Sequence, residues 1–266
     1  MHADCRETWY DAEKKVSVTI VDVTAAAQAL ARGHLAGPVA TYFLTRALAS
    51  AALLGSEMSE KDETLILQMK CKGPLGGFNV ECTSEGTLRG YTEKKTLDEF
   101  DGLVSQPIPL RDVKRIVGDR QLQVTRSVPG RILSQGISSS LDGYLAGSLQ
   151  RKAVIHTAAL VTDDVEVKLA RGVLVEELPD GKDTGVLGIE PKLDVSSRNL
   201  LAQLGLAGAE LRCTSPLKFA CRCSPDRAVA MLAALKPEER ASLPEKLDIT
   251  CHMCGKIYTI DTASFR

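Results

Sequence analysis

Four cysteines in two close pairs constrain this chain more than any other feature. Cys221 and Cys223 lie in F-A-C-R-C-S, and Cys251 and Cys254 lie in I-T-C-H-M-C-G-K-I-Y. A C-x-C pair and a C-x-x-C pair, separated by the insert 224–250, can turn four thiolates onto one tetrahedral ion. Zinc is the natural occupant of an all-sulfur cage, one per chain. The spacing also permits a second chemistry. Without metal, each cysteine can close a disulfide on its near neighbour, because a bent backbone can reach the roughly 4.4–6.8 Å Cα separation that a disulfide needs. The pairs therefore define a metal site that can also respond to oxidants, although a purely structural zinc ribbon fits the same spacing.

Local signals around the pairs agree. Ser224 is placed to cap a helix, Pro225 fits its first position and Asp226 its first turn. Ala228, Met231, Leu232 and Leu235 then make a small apolar face, and Gly255 suits a tight turn after the second pair. A unit with so few large apolar side chains needs help to fold, and a structural metal contributes on the order of 10–16 kcal/mol. Cys213 is a linker thiol in this reading, and Cys5, Cys71 and Cys82 are isolated. His252 lies between the second pair, but four thiolates already fill the shell. His34 and His156 have no evident partner and are read as structural.

Upstream, 16–23 is rich in β-branched residues and reads as a strand. Segment 24–33 is alanine-rich and helical, with Gly33 as its expected stop. Pro38 opens a second helix, in which Val39, Phe43, Ala47, Ala51 and Leu54 form a stripe that Gly55 ends. Short strands follow at 64–70, 77–82 and 87–92, then a hairpin at 121–127 and 131–137 around Pro129-Gly130. A helix at 138–150 with a serine cap precedes strands at 153–161 and 165–178. This order predicts an α+β fold: an N-terminal domain of antiparallel sheets with packed helices, over 1–179. A run of turn formers from Pro179 to Gly185 opens a linker of marginal structure, 180–216, with one amphipathic stretch at 196–206. The four-cysteine zinc-binding domain occupies 217–266.

Two weaker motifs carry blander readings. Lys72-Gly73-Pro74-Leu75-Gly76-Gly77 lacks the terminal Lys-Ser/Thr of a phosphate loop and reads as a hairpin turn. Ser138-Ser139-Ser140 lacks a nucleophile elbow and reads as a helix cap.

The net charge is −1, without a basic half, so nucleic acid is not favoured as a partner. The N-terminus has no apolar signal core, and the most apolar run, 47–54, is shorter than a membrane span. A cytoplasmic protein without a membrane partner is expected. Eight cysteines in a reducing compartment favour metal or redox roles.

At the cysteine pairs the chain resembles the heat shock protein 33 family of redox-regulated chaperones. The resemblance rests on Phe219 to Arg227, on Ile249-Thr250-Cys251-His252-Met253-Cys254, and on Tyr258-Thr259-Ile260-Asp261. Upstream it extends through Gly73 to Gly77, Gly86-Thr87-Leu88-Arg89-Gly90-Tyr91, and Val173-Leu174-Val175 to Pro179. The chain departs from the family at Ser148-Leu149-Gln150 and Ala170-Arg171-Gly172, where S-E-Q and A-G-G are usual.

The resemblance implies a non-enzymatic, ATP-independent holdase. Cys221, Cys223, Cys251 and Cys254 hold zinc when reduced. Oxidation pairs Cys221 with Cys223 and Cys251 with Cys254, releases zinc and unfolds the C-terminal unit. The protein then dimerises and binds unfolding client proteins. A zinc-ribbon module for RNA or the ribosome is the alternative, although aromatic residues are only 4% of the chain and such a surface needs them. A dithiol oxidoreductase would place its C-x-x-C near the start of a βαβ unit, which is absent from the pattern.

Overall fold

The structure is a computed structural model that describes residues 3–103, 108–179, 181 and 183–263. Asp180 and Lys182, at the expected domain boundary, and the expected outer limits Met1 and Arg266 lie outside the described residues.

One long apolar helix organises the core. α1 (Thr24–His34) leads into α2 (Pro38–Leu54), which Pro38 starts at its first position. Nearly every α2 residue from Val39 to Leu54 is buried, with Arg46 partly so. A helix that is apolar all round must be covered all round. Two sheets do this. The first contains β1 (Cys5–Asp11), β2 (Val16–Asp22), β8 (Lys152–Val161), β9 (Val167–Glu177) and β10 (Glu210–Pro216), in the order β10-β1-β2-β9-β8. The second contains β3 (Thr64–Cys71), β4 (Gly77–Thr83), β5 (Thr87–Thr92), β6 (Arg120–Val128), β7 (Arg131–Ser138) and β11 (Lys218–Phe219), in the order β11-β5-β4-β3-β6-β7. α2 packs on β2, β8 and β9 of one sheet and on β3, β4 and β5 of the other.

The fold is α+β with antiparallel sheets, as the strand order predicted. β11 departs from this pattern, running parallel to β5. With its following turn, the helical run Pro38–Glu57 is long and apolar enough to cross a membrane, but 89% of its apolar window is buried by the protein. It is a core helix, longer than the apolar run 47–54 indicated.

Two smaller helices follow, α3 (Leu110–Val117) and α4 (Leu141–Gly147), the latter packed on β8 of the first sheet and β7 of the second. Ser140 caps α4 by accepting from Gly143 N, the role expected of the serine run. The glycine-rich segment is the β3–β4 turn. Its amides are already engaged, Gly73 N on Val117 O and Leu75 N on Ile116 O, so it offers no phosphate cradle.

The segment expected to have only marginal structure is built and packed. Val186, Leu193, α5 (Ser197–Gln203), Leu204, Leu206 and Ala209 cover Trp9, Val16, Val18, Ile20, Val173 and Val175 on the outer face of the first sheet. β10 then pairs antiparallel with β1. Leu200 and Leu201 have 0% exposure, and each such side chain contributes roughly 1.5–3 kcal/mol of burial. Polar contacts add to this layer. Arg171 Nη1 donates to Leu193 O at 3.0 Å and also to Val195 O, and Lys14 Nζ donates to Gly205 O at 2.7 Å. The arginine that departs from the family pattern thus ties the segment to the sheet. The surface that the segment covers is distant from it in sequence.

Leu200→Ala is expected to cost about 2–5 kcal/mol. Amide hydrogen exchange should accelerate first in α5 and β10 and leave α2 protected. Uniform acceleration through α2 would show that this layer is not a separable unit.

Candidate metal centre and its docking surface

The C-terminal unit comprises α6 (Pro225–Ala233), α7 (Pro237–Ala241) and the hairpin β12 (Lys246–Thr250) and β13 (Ile257–Asp261). Ser224 caps α6 by accepting from Arg227 N, and Pro225 occupies the first turn, both as expected. The unit's own core is small. Ala228, Leu232 and Ile260 are buried, with Leu235, Leu247 and Ile249 among the residues packed around them. Met231, expected on this apolar face, is 67% exposed and points away from it.

The two turns bring together the four cysteines that the spacing singled out. One Sγ from each of Cys221, Cys223, Cys251 and Cys254 lies within 4.8 Å of the others. The shortest separations are 3.8 Å between Cys221 and Cys251 and 3.5 Å between Cys223 and Cys254. A tetrahedral ion with metal–sulfur bonds of about 2.3 Å sets its sulfurs about 3.8 Å apart, so the donor set fits a metal. Gly255, at φ +74°, turns the chain after Cys254, and Gly255 N donates to Cys251 O at 2.8 Å. Cys213 is exposed on β10 and lies outside this group, as do Cys5, Cys71 and Cys82.

The polar surroundings differ among the four sulfurs. Burial alone would raise the Cys221 thiol, but the Cys223 amide and the Arg89 guanidinium, 3.8 Å away, bring it down to about 7. Cys254 is pushed up, first by burial and then by the neighbouring sulfurs. Tyr258 Oη donates to Cys223 Sγ at 3.2 Å, and this bond pushes the phenol up to about 12.

The cluster sits on the N-terminal core. Cys254 belongs to the main apolar core, and the other three cysteines pack against it. The C-terminal unit also caps the outer edge of β5. Lys218 N donates to Gly86 O at 3.0 Å, Ala220 N to Leu88 O at 3.2 Å, and Gly90 N to Met253 O at 3.1 Å. His34 Nε2 donates to Gly90 O at 2.8 Å, and burial lowers the histidine's pKa. Glu81 accepts from Arg89 at 2.6 Å and from Arg222 at 3.0 Å, tying β4 and β5 to the first cysteine turn. The His252 ring lies 5.8 Å from that of Tyr91.

Gly33 has a role that sequence reasoning misassigned. It does not end α1, which stops at Leu35 with φ 51°. It is the point where the cysteine turn meets the helix backbone. A Cβ on Gly33 would lie 2.4 Å from Cys254 O, and one on Gly255 would lie 1.9 Å from Gly33 O. A glycine inside a helical pattern costs stability unless something packs against it, which was the available signal. His34, Glu81 and Arg89 carried no local signal, because each acts on a partner distant in sequence.

A two-sheet α+β domain carrying a four-thiol centre capable of holding a metal ion defines the class of this protein. Comparisons with known proteins agree. The family model described as Hsp33 protein matches residues 8–261. The chain therefore belongs to the Hsp33 family. A 33 kDa chaperonin of Thermus thermophilus is 29% identical, over 94% of this chain and 82% of its own length. That of Geobacillus kaustophilus is 28% identical, over 87% and 86%. The crystal structure of the 33 kDa chaperonin from Thermotoga maritima superposes with a TM-score of 0.84 at 22% identity, covering 98% of this chain and 96% of that one.

Gly33→Ala tests the docking contact. In an ordinary helix interior this change stabilises by roughly 0.5–1 kcal/mol. Here the sign should reverse, with a lower melting temperature and faster amide exchange around 251–258. A rise in melting temperature would refute close docking at this point.

Proposed function

We propose that this protein is a redox-regulated, ATP-independent chaperone that holds unfolding client proteins. The observation that carries this reading is the double position of the four cysteines. They converge as a metal-binding set and pack against the core at the place where the C-terminal unit caps β5. A chemical change at the sulfurs therefore acts directly on the contact that covers the N-terminal domain.

In the reduced state Cys221, Cys223, Cys251 and Cys254 hold one zinc ion. When bound, zinc keeps the sulfurs as thiolates and contributes on the order of 10–16 kcal/mol to folding. A peroxide removes two electrons from each cysteine pair and is reduced, leaving two disulfides that no longer supply a thiolate cage. Cys221 pairs with Cys223 and Cys251 with Cys254. The folded cluster brings cross-pairs as close as neighbours, so the selection comes from opening. Once the unit unfolds, sequence neighbours have the shortest loops to close.

Opening uncovers apolar surface. Leu217 and Phe219 lose their place on the main core, and Ala228 and Leu232 lose their small core. Leu200, Leu201 and Leu204 leave the first sheet if the linker follows. Surfaces of this size bind other unfolding chains and drive self-association, which accounts for clients and for a homodimer on oxidation. Eight free thiols suit the reducing cytoplasm as the resting environment. The N-terminal domain, 1–179, remains folded throughout.

Peroxide at elevated temperature should release one zinc per chain, consume four thiols and switch on ATP-independent suppression of client aggregation. Equal suppression by the reduced zinc form would remove the redox switch. Cys251→Ser should weaken zinc binding sharply, and full affinity in that variant would overturn the ligand assignment. A chain truncated after Pro179 should melt cooperatively, and a non-cooperative melt would place the domain boundary elsewhere.

A further inference from the structure

A cavity of about 300 Å³ opens between the two sheets on the flank of α2, remote from the cysteines. Its walls are mainly apolar, with Phe43, Leu67, Met69, Phe78, Leu122 and Ile155 among them, and polar side chains including Ser50, Ser139, Ser140 and Thr157 also line it. One feature does not suit a simple packing void. Arg46 of α2 lines the cavity with neutral partners: its Nε donates to Thr157 Oγ1 at 3.0 Å and its Nη1 to Tyr42 Oη at 2.9 Å. The guanidinium carbon also stands 5.5 Å from the Tyr42 ring centroid. Among the described residues, no carboxylate lies within ion-pair distance of Arg46. Arg120 and Asp142 also line the cavity, each with a backbone partner: Arg120 Nε donates to Ser139 O, and Asp142 accepts from Ile155 N. The lining thus carries two guanidinium groups and one carboxylate.

A partly buried cation with neutral partners has lost water without gaining a counter-charge. We propose that this cavity is a binding site for a medium-chain fatty acid, its carboxylate on Arg46 and its chain along the apolar wall. The charge selects an anion, because charge-assisted bonds to guanidinium are the strong ones. The walls select an alkyl chain. The volume lies at the lower end of ligand pockets, which run from about 300 to 1,000 Å³, and suits a single alkyl chain. An apolar segment of a client polypeptide would fill the walls but leave Arg46 without its counter-charge.

The test uses the full-length, reduced, zinc-loaded protein and titration calorimetry with decanoate below its aggregation concentration, beside 1-decanol and decylammonium. The expected result is one decanoate per chain, with weaker binding of the alcohol and the amine. Arg46→Met keeps much of the side-chain bulk and should weaken decanoate by about tenfold or more, given the strength of charge-assisted bonds. Ser139→Trp, at the exposed rim, should block decanoate with an unchanged melting curve. The proposal is overturned if decylammonium binds as tightly as decanoate, if a folded Arg46→Met variant binds normally, or if binding is unsaturable. Should Arg46→Met fail to fold, the rim variant and the head-group comparison decide the matter alone.

Discussion

Four sulfur atoms closing on one another at 3.5–4.8 Å are the constraint on which the C-terminal part of this chain depends. Among the described residues of the unit that carries them, the separate apolar core consists of Ala228, Leu232 and Ile260. Burial on that scale does not offset the conformational entropy of ordering α6, α7 and a hairpin. Docking on the N-terminal core supplies part of the remainder, and a metal held by the four sulfurs would supply more. Both converge on the same few residues, since Cys254 is at once a sulfur donor and a member of the main apolar cluster, and Gly255 abuts Gly33. Loss of a metal from these sulfurs and loss of docking would therefore be coupled, whichever began.

Much of this arrangement was legible in the sequence. The cysteine spacing named all four members of the cluster, and Ser224-Pro225 marked the start of α6. Strand and helix order gave the α+β class, because β-branched runs and turn residues are local signals. What escaped notice depends on distant partners. β1 went unread because one of its buried residues is the charged Arg6, held by Ala52 O at the end of α2 and by Cys82 Sγ, which accept from it. Gly33 looked like a helix stop because the turn pressed against it comes from more than two hundred residues downstream. The linker looked loose because its leucines match a sheet face assembled from β1, β2 and β9.

That linker layer gives the molecule a graded construction. The main core around α2 is continuous and deeply buried. The layer of α5 and its flanking leucines rests on the opposite face of one sheet, held by apolar contact, by the Arg171 and Lys14 side chains across backbone carbonyls, and by Arg198 over the Trp9 ring. Such layers open at lower free energy than the core beneath them. The linker leucines and the cysteine unit are thus laid over a core that α2 organises.

The cap on β5 has a consequence of its own. Gly86 O, Leu88 O and Gly90 N along that strand are all occupied by the C-terminal unit, through Lys218, Ala220 and Met253. A strand border deprived of this cover presents an open ladder of main-chain donors and acceptors. Any extended polypeptide can complete such a ladder, because every residue type except proline brings the same amide and carbonyl. Recognition of that kind ignores side-chain identity and asks only that the incoming chain has lost its native pairing.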